Sequence, residues 1–327
     1  SCNTSVKDAR VSKRKAAAND EGPKRKNKRR PDLEKTRQSV DALRAEFEAK
    51  YKQQDQLGEG GYGTVFGGYR KADNLPVAIK HIAKEKIGCK HVDETGKQLP
   101  MEVVIMLKLA DKRSRSVRMS APVSLLEWYD LDQEVILVLE RPIPAEDLYD
   151  YINHNGGSLE EQEAKIILKQ LVDAAIDLEE KKIFHRDIKA EDILIETSSD
   201  VLRVRLIDFG VGCFIKRGAC YRKLYGTPDF IPEWFSLGRY RAGPTTVWQM
   251  GVVLFDTLHS DAAFETTEFL KDRVRISETL SENCQDFLQR CFITDPKQCP
   301  TLEQLRTHPW LNNTNTTHRQ TDSFMYW

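Results

Sequence analysis

A chain of 327 residues with 40% hydrophobic and 31% charged side chains can bury one large core or two lobes, and has the balance of a globular protein. Its formal net charge is +0, yet residues 1–50 carry 15 Lys+Arg against 8 Asp+Glu, leaving 35 against 42 beyond them, so a tail near +7 precedes a body near −7. There is no apolar run long enough for a membrane span and no apolar N-terminal segment for secretion, and the seven cysteines (2, 89, 213, 220, 284, 291, 299) form no CxxC pair, which reads as reduced intracellular thiols, not a disulfide framework or zinc site.

The chain opens on Ser1 and reads as a piece or as lacking its initiator. Residues 1–38 are expected to be a disordered basic tail, most plainly over 1–32, which are poor in apolar residues and rich in Lys, Arg, Asn and Pro. Within it KRK (13–15) and KRKNKRR (24–30) stand eight residues apart, a spacing that suits a bipartite nuclear signal bound by an import receptor, and equally a solubilising or polyanion-binding tail. The body has no basic stripe to support nucleic-acid binding. Val40, Leu43, Phe47 and Tyr51 then recur at helical spacing behind Ser39, which predicts a short helix over 39–50 packing on the domain that follows.

From 55 to about 140 the runs GTVFGGYR, PVAIKHI, VSLLEWY and EVILVLE read as strands, with one helix, PMEVVIMLKLA (100–110), among them. In LGEGGYGTVFGG (57–68), Gly58, Gly60 and Gly63 make G-x-G-x-x-G. A dinucleotide site needs a helix directly after such glycines. Here Thr64, Val65 and Phe66 continue as strand, so the glycines form a hairpin tip, either one that closes bare backbone over phosphates or an ordinary Gly-rich turn. Lys80 ends the apolar strand PVAIK and would point its ammonium into a cleft; Glu102, opening the following helix, is its natural partner.

From 146 onward helical patterns dominate: DLYDYINHN, EEQEAKIILKQLVDAAIDLEEKK, TTVWQMGVVLFDTLH, ENCQDFLQRCF and TLEQLRTHPWL. A β-rich first part and an α-rich second part predict an α+β chain of two lobes with a cleft between them. HRDIKAEDIL (185–194) precedes RLIDFG (205–210), with Asp187 and Asp208 21 positions apart. Asp187 could accept or orient the proton of an attacking hydroxyl, Lys189 could reach a transferring phosphate, and Asp208 could chelate Mg²⁺ bridging phosphates.

The glycine loop, the strand Lys, His-Arg-Asp and Asp-Phe-Gly, in that order, resemble the protein kinase family. The stretches LPVAIKHI, LPMEVVIM, ERPIPAEDLYDYI, HRDIKAEDILIE, RLIDFGVG and PEW resemble Pim-type serine/threonine kinases in particular. The resemblance implies a kinase domain over 51–311, with an N-lobe to about 140 and a C-lobe from about 145, followed by a C-terminal tail over 312–327. It implies ATP held by Leu57, Gly58, Glu59, Gly60, Gly61, Tyr62, Gly63, Thr64, Val65, Ala78, Lys80, Glu102 and Glu140, and Mg²⁺, or else Mn²⁺, held by Asp192 and Asp208. It further implies catalysis by Asp187 and Lys189, and recognition of basic Ser/Thr peptides by Asp147, Asp150 and Glu191, with Asp261 and Glu265 as further candidates. Pro142 resembles the Pim hinge proline, which removes a backbone N–H that other kinases offer to adenine. A monomer in cytoplasm or nucleus is expected.

The segment from Gly210 to Pro232 has no Ser, and its only Thr is Thr227, which suggests an activation segment ordered without phosphorylation. Three departures from the family pattern stand out. Asp192 replaces a metal-binding Asn, adding a carboxylate beside Asp187 and Asp208, raising at least one pKa and opening the alternative of a catalytically impaired scaffold. Glu233 resembles a glutamate that pairs with a downstream Arg, where this chain has Cys299. TTVWQMG lacks the Asp that many kinases use to brace the catalytic loop, as Pim-type sequences also do, so this one is neutral.

Overall fold

The computed structural model describes residues 30–88, 90–92, 96, 98–110, 121–216, 218–227, 230, 238–260 and 263–312. The paired basic clusters up to residue 29, Glu233, Asp261 and the tail over 313–327 lie outside them. The first element, α1 (Arg30–Lys50), starts nine residues ahead of the helix expected over 39–50. Residues 32–38 hold one apolar side chain, Leu33, too few to make a stripe, so periodicity had little to register there.

A five-stranded antiparallel sheet follows, built from β1 (Tyr51–Gly60), β2 (Gly63–Arg70), β3 (Pro76–Ala83), β6 (Leu125–Asp130) and β7 (Glu134–Glu140) in the order β1-β2-β3-β7-β6. Between β3 and β6 come a small hairpin, β4 (Lys90–Val92) with β5 (Gln98–Pro100), and the helix α2 (Met101–Leu109). Side chains alternate across a strand with period two, so the register sorts the sheet's faces. Val65, Lys80 and Leu137 are direct partners, as are Gly67, Ala78 and Leu139; this face looks into the cleft. Val77, Ile79, Ile136 and Val138 point the other way and form a separate core with Phe47, Tyr51, Tyr129 and Leu131. Phe47 of α1 meets Tyr129 edge-on at 5.5 Å, so α1 roofs the sheet's outer face.

The second lobe begins with β8 (Ala145–Asp147), α3 (Leu148–His154) and α4 (Glu161–Glu180). Short strands then carry the site segments: β9 (Ile183–Phe184) pairs β12 (Cys213–Phe214), and β10 (Ile193–Glu196) lies between β8 and β11 (Arg203–Leu206). The central helix α5 (Ala242–Leu258) is buried on nearly every side, as its apolar sequence requires. It is flanked by α6 (Thr266–Leu270), α7 (Glu282–Cys291), α8 (Leu302–Arg306) and α9 (Pro309–Asn312). Gly251 lets α7 close on α5: a Cβ there would stand 2.6 Å from Cys291 Cβ. Cys299 is half-buried, and burial pushes its thiol up to about 12. The described cysteines, 213, 220, 284, 291 and 299, are all free thiols.

One buried cation ties the lobes together behind the cleft. Arg205, 3% exposed on β11, gives its guanidinium to Glu140 at the end of β7 (2.6 and 3.0 Å), to Glu196 on β10 (2.7 Å) and to the carbonyl of Ala121 (3.2 Å). Burial alone would raise the Glu140 carboxyl, but Arg205 takes it down to about 2. Removing the guanidinium would strip Glu140 of its cation and leave Glu196 only the longer pair with Arg203 at 3.5 Å. Arg205→Met is therefore expected to lower the unfolding free energy by about 3 kcal/mol, read from urea titration of both proteins at pH 7.

Candidate active site

The glycine hairpin owes its tip to one backbone. β1 and β2 pair down to Gly60–Gly63. Gly63 sits at φ +142, and a Cβ there would lie 2.4 Å from the carbonyl oxygen of His81, so any side chain would push β3 away. Leu57, Gly58, Glu59, Gly60 and Gly61 are exposed above the cleft, while Thr64, Val65 and Ala78 are half-buried beneath them. Tyr62 folds inward: a Cβ on Gly210 would meet Tyr62 Cβ at 3.1 Å. Burial, with Asp187 and Asp208 nearby, raises the Tyr62 phenol.

Lys80 is the pivot of the site. Its ammonium is 2.8 Å from Glu102 Oε1 and 2.8 Å from Asp208 Oδ1. Burial opposes its charge, but the two carboxylates outweigh burial and keep Lys80 protonated. Burial likewise pushes Glu102 up against the pull of Lys80, and the Phe209 N–H gives Glu102 a further bond. Asp208 adopts φ +58, a left-handed backbone held by the Gly210 N–H donating to Oδ1 at 2.9 Å. Although burial acts the other way, Lys80 holds its carboxyl below the usual range. Phe209 is buried against His185, ring centroids 4.8 Å apart.

Asp187 is fixed from the activation segment. Its Oδ1 accepts both the N–H and the hydroxyl of Thr227, each at 2.9 Å. Lys189 is half-buried; Asp192, Asp187 and Glu191 raise its pKa against the effect of burial. Asp192 ends a single 3-10 turn over Ala190–Asp192, and its carbonyl accepts the Ile207 N–H at 3.0 Å, which locks this turn to the strand leading into Asp208. Burial, then Asp208, push its carboxyl up to about 8, with Lys189 pulling the other way. The site therefore gathers Asp187, Asp192, Asp208 and Glu102 around two ammonium groups, an excess of negative charge that a divalent cation would balance. Among the described residues no three His, Cys, Asp or Glu side chains form a metal cage of their own. Two carboxylates completed by phosphate oxygens and water fit the habit of Mg²⁺, which seldom takes an all-protein shell.

Glu140, expected among the nucleotide-binding residues, ends β7 at the hinge. Its side chain belongs to Arg205, and its N–H donates to Ser124 O at 2.9 Å. Of the acids expected to meet a peptide, Asp147 caps α3 by accepting the Asp150 N–H at 2.9 Å, while Asp150 and Glu191 are exposed. The charges of Asp150 and Glu191 add to burial in raising Asp147. Sequence reading overlooked two acids and bases of this region. Arg205 was signalled by a cation recurring inside the apolar strand RVRL, and Asp256 by a lone acid in the apolar helix VVLFDTL. Asp256 accepts the Phe264 N–H at 2.8 Å, and burial, then Glu191, push its carboxyl up to about 7.

A family model described as the protein kinase domain matches residues 51–311. The chain is 34% identical over 270 residues to the serine/threonine-protein kinase pim-2 of Danio rerio, covering 81% of this chain and 86% of that protein. It is 29% identical over 273 residues to the serine/threonine-protein kinase prk-2 of Caenorhabditis elegans, covering 82% of this chain and 59% of that one. Against the mouse PAS domain-containing serine/threonine-protein kinase the identity is 29% over 278 residues, 83% of this chain but 19% of the longer protein.

Asp256 gives a pH test of the packing near Glu191. Its carboxyl moves from 3.8 as a free group to about 7 in the fold, so the native state binds the proton more tightly than the unfolded state. The stability it contributes is complete below the lower value, falls as pH climbs through the upper one, and is flat beyond. Asp256→Asn keeps an acceptor for Phe264 and removes the titration. Its unfolding free energy relative to wild type is expected to improve between pH 5 and pH 8, by about 2 kcal/mol, in urea titrations across that range.

Proposed function

Because the chain belongs to the protein kinase family, we propose that it transfers the terminal phosphoryl group of ATP to Ser or Thr hydroxyls in Arg- and Lys-rich peptides, in the manner of Pim-type enzymes. The observation that carries this reading is the joint fixing of two carboxylates: Asp187 by Thr227, and Asp208 by Lys80 and Gly210. Catalysis of phosphoryl transfer is mostly positioning and charge stabilisation, and both depend on such fixed groups. Asp187, with Oδ1 engaged by Thr227, has its second oxygen to orient the substrate hydroxyl and take its proton. Lys189 stands two residues on with its charge secured, suited to the transferring group. The hairpin backbone from Gly58 to Gly63 covers the phosphates, and Lys80 steadies them from β3. Asp192 and Asp208 would hold Mg²⁺, which when bound supplies positive charge to the phosphate oxygens.

Basic substrates are supported by Asp147, Asp150 and Glu191 on one side of the cleft and by the negative body. Glu191→Lys is expected to raise the KM for an Arg-rich peptide about tenfold while leaving the KM for ATP in place, measured by steady-state kinetics. Activity without activating phosphorylation is supported by how Arg186 is held. Its guanidinium lies over the rings of Tyr225 (4.7 Å) and Tyr221 (4.9 Å) and donates to Val211 O at 3.2 Å, and among the described residues no carboxylate pairs with it. Aromatic faces thus order the segment where a phosphate would otherwise be needed. Phosphatase treatment is expected to leave the purified protein's activity intact; loss of activity would contradict this. The basic clusters before residue 30 support binding to a nuclear import receptor.

A second reading, an impaired scaffold that binds nucleotide better than it turns it over, is favoured by Asp192 with its carboxyl near 8. An assay with radiolabelled ATP and an Arg-rich peptide, in Mg²⁺ and separately in Mn²⁺, decides between them for wild type, Asp187→Asn and Asp192→Asn. Wild type is expected to exceed Asp187→Asn by about a hundredfold or more. Equal rates in both metals would sink the enzyme reading, and a strong gain in Asp192→Asn would mark the extra carboxylate as a handicap.

A further inference from the structure

We propose that Gln249 is a positioning residue for the catalytic loop, gripping the main chain on both sides of Asp187. Gln249 lies on α5 and is 4% exposed. Its Nε2 donates to the carbonyl of Arg186 at 2.6 Å, and its Oε1 accepts the N–H of Ile188 at 3.4 Å. These are the peptide groups immediately before and after Asp187. Arg186 stands at φ +77, a left-handed conformation that a residue with a side chain keeps only where its surroundings compensate. The carboxamide supplies that compensation directly on the strained residue's carbonyl.

From the opposite side the loop is closed by the activation segment. A Cβ on Gly226 would lie 2.9 Å from Arg186 O and 3.2 Å from Asp187 Oδ1, and the next residue, Thr227, holds Oδ1. Asp187 is thereby clamped between α5 below and residues 226–227 above. The chemistry of the lower grip is specific. It needs a donor for the carbonyl and an acceptor for the N–H, and a carboxamide presents both in one plane. A carboxylate would face the Arg186 carbonyl with a second acceptor and add negative charge beside Asp187, Asp192 and Asp208. TTVWQMG lacks an Asp brace, and Gln249, within the same stretch, does the bracing with no charge.

The proposal deepens the kinase reading and rests on it only for its rate measurement. Gln249→Met keeps the side chain's length and removes both bonds; Gln249→Glu keeps the acceptor and loses the donor. Hydrogen exchange of the full chain is expected to quicken over residues 185–190 in both variants while α4 and the rest of α5 keep their protection. In single-turnover transfer to an Arg-rich peptide with enzyme in excess, the rate constant is expected to fall about tenfold or more, with ATP-analogue affinity and stoichiometry unchanged. The rate constant, unlike the amplitude, does not drop because some molecules are misfolded. Unchanged exchange over 185–190 in Gln249→Met overturns the proposal, as does an unchanged single-turnover constant. A wild type that transfers nothing defeats the kinase reading instead, and the exchange result alone then decides the grip. Should Gln249→Met fail to bind the analogue, Gln249→Asn, which keeps both groups one methylene short, decides it by the same exchange measurement.

Discussion

The ammonium of Lys80 holds this molecule's cleft in shape. It comes from a strand of the first lobe, Glu102 from a helix 22 residues on, and Asp208 from the second lobe, 128 residues on. None of the three could be left in place alone. A buried charge without its partner costs several kcal/mol, so the pairing fixes α2 against the sheet and the Asp208 turn against both. Two carboxylates share one ammonium, so the cluster is short of positive charge even when complete. Under the kinase reading proposed above, that shortage is what a divalent cation at Asp208 would offset.

Arg205 does similar work at the back of the cleft with the signs reversed. One guanidinium there satisfies two carboxylates and a main-chain carbonyl, and it joins the hinge end of β7 to β10 and β11. Arg205 and Asp208 stand three positions apart in the chain, so the stretch from β11 to the left-handed backbone of Asp208 is held by one ionic node at each end.

How much of this could be read from sequence follows from the range of each interaction. The glycines, Lys80, Asp187 and Asp208 were legible because their chemistry constrains residue type and local spacing together. β2 and β7 began and ended where GTVFGGYR and EVILVLE did, because alternation and Gly punctuation are local signals. The start of α1 was not legible, since a polar helix carries no stripe. Arg205, Asp256 and Gln249 were not legible as functional residues either. Each is a polar residue set among apolar neighbours, and its meaning lies in a partner 8 to 65 positions away that only the fold brings near. Glu140 shows the same limit in reverse: its place at the hinge was legible, but not that its side chain turns away to Arg205.

The departures from the family pattern become coherent when charge is followed around the catalytic loop. Arg186 is held by rings and a carbonyl instead of an acid. The loop is braced from α5 by the neutral amide of Gln249 instead of a carboxylate. Neither contact brings negative charge to the scaffold of the loop. At Asp192 the opposite has happened, and a carboxylate stands where an amide is expected, buried beside Asp208. A loop carrying acids both in its scaffold and at its metal face would repel itself at close range in a poorly screened interior. Gln249 and the tyrosine rings thus add no further acid to a loop that already carries Asp187 and Asp192.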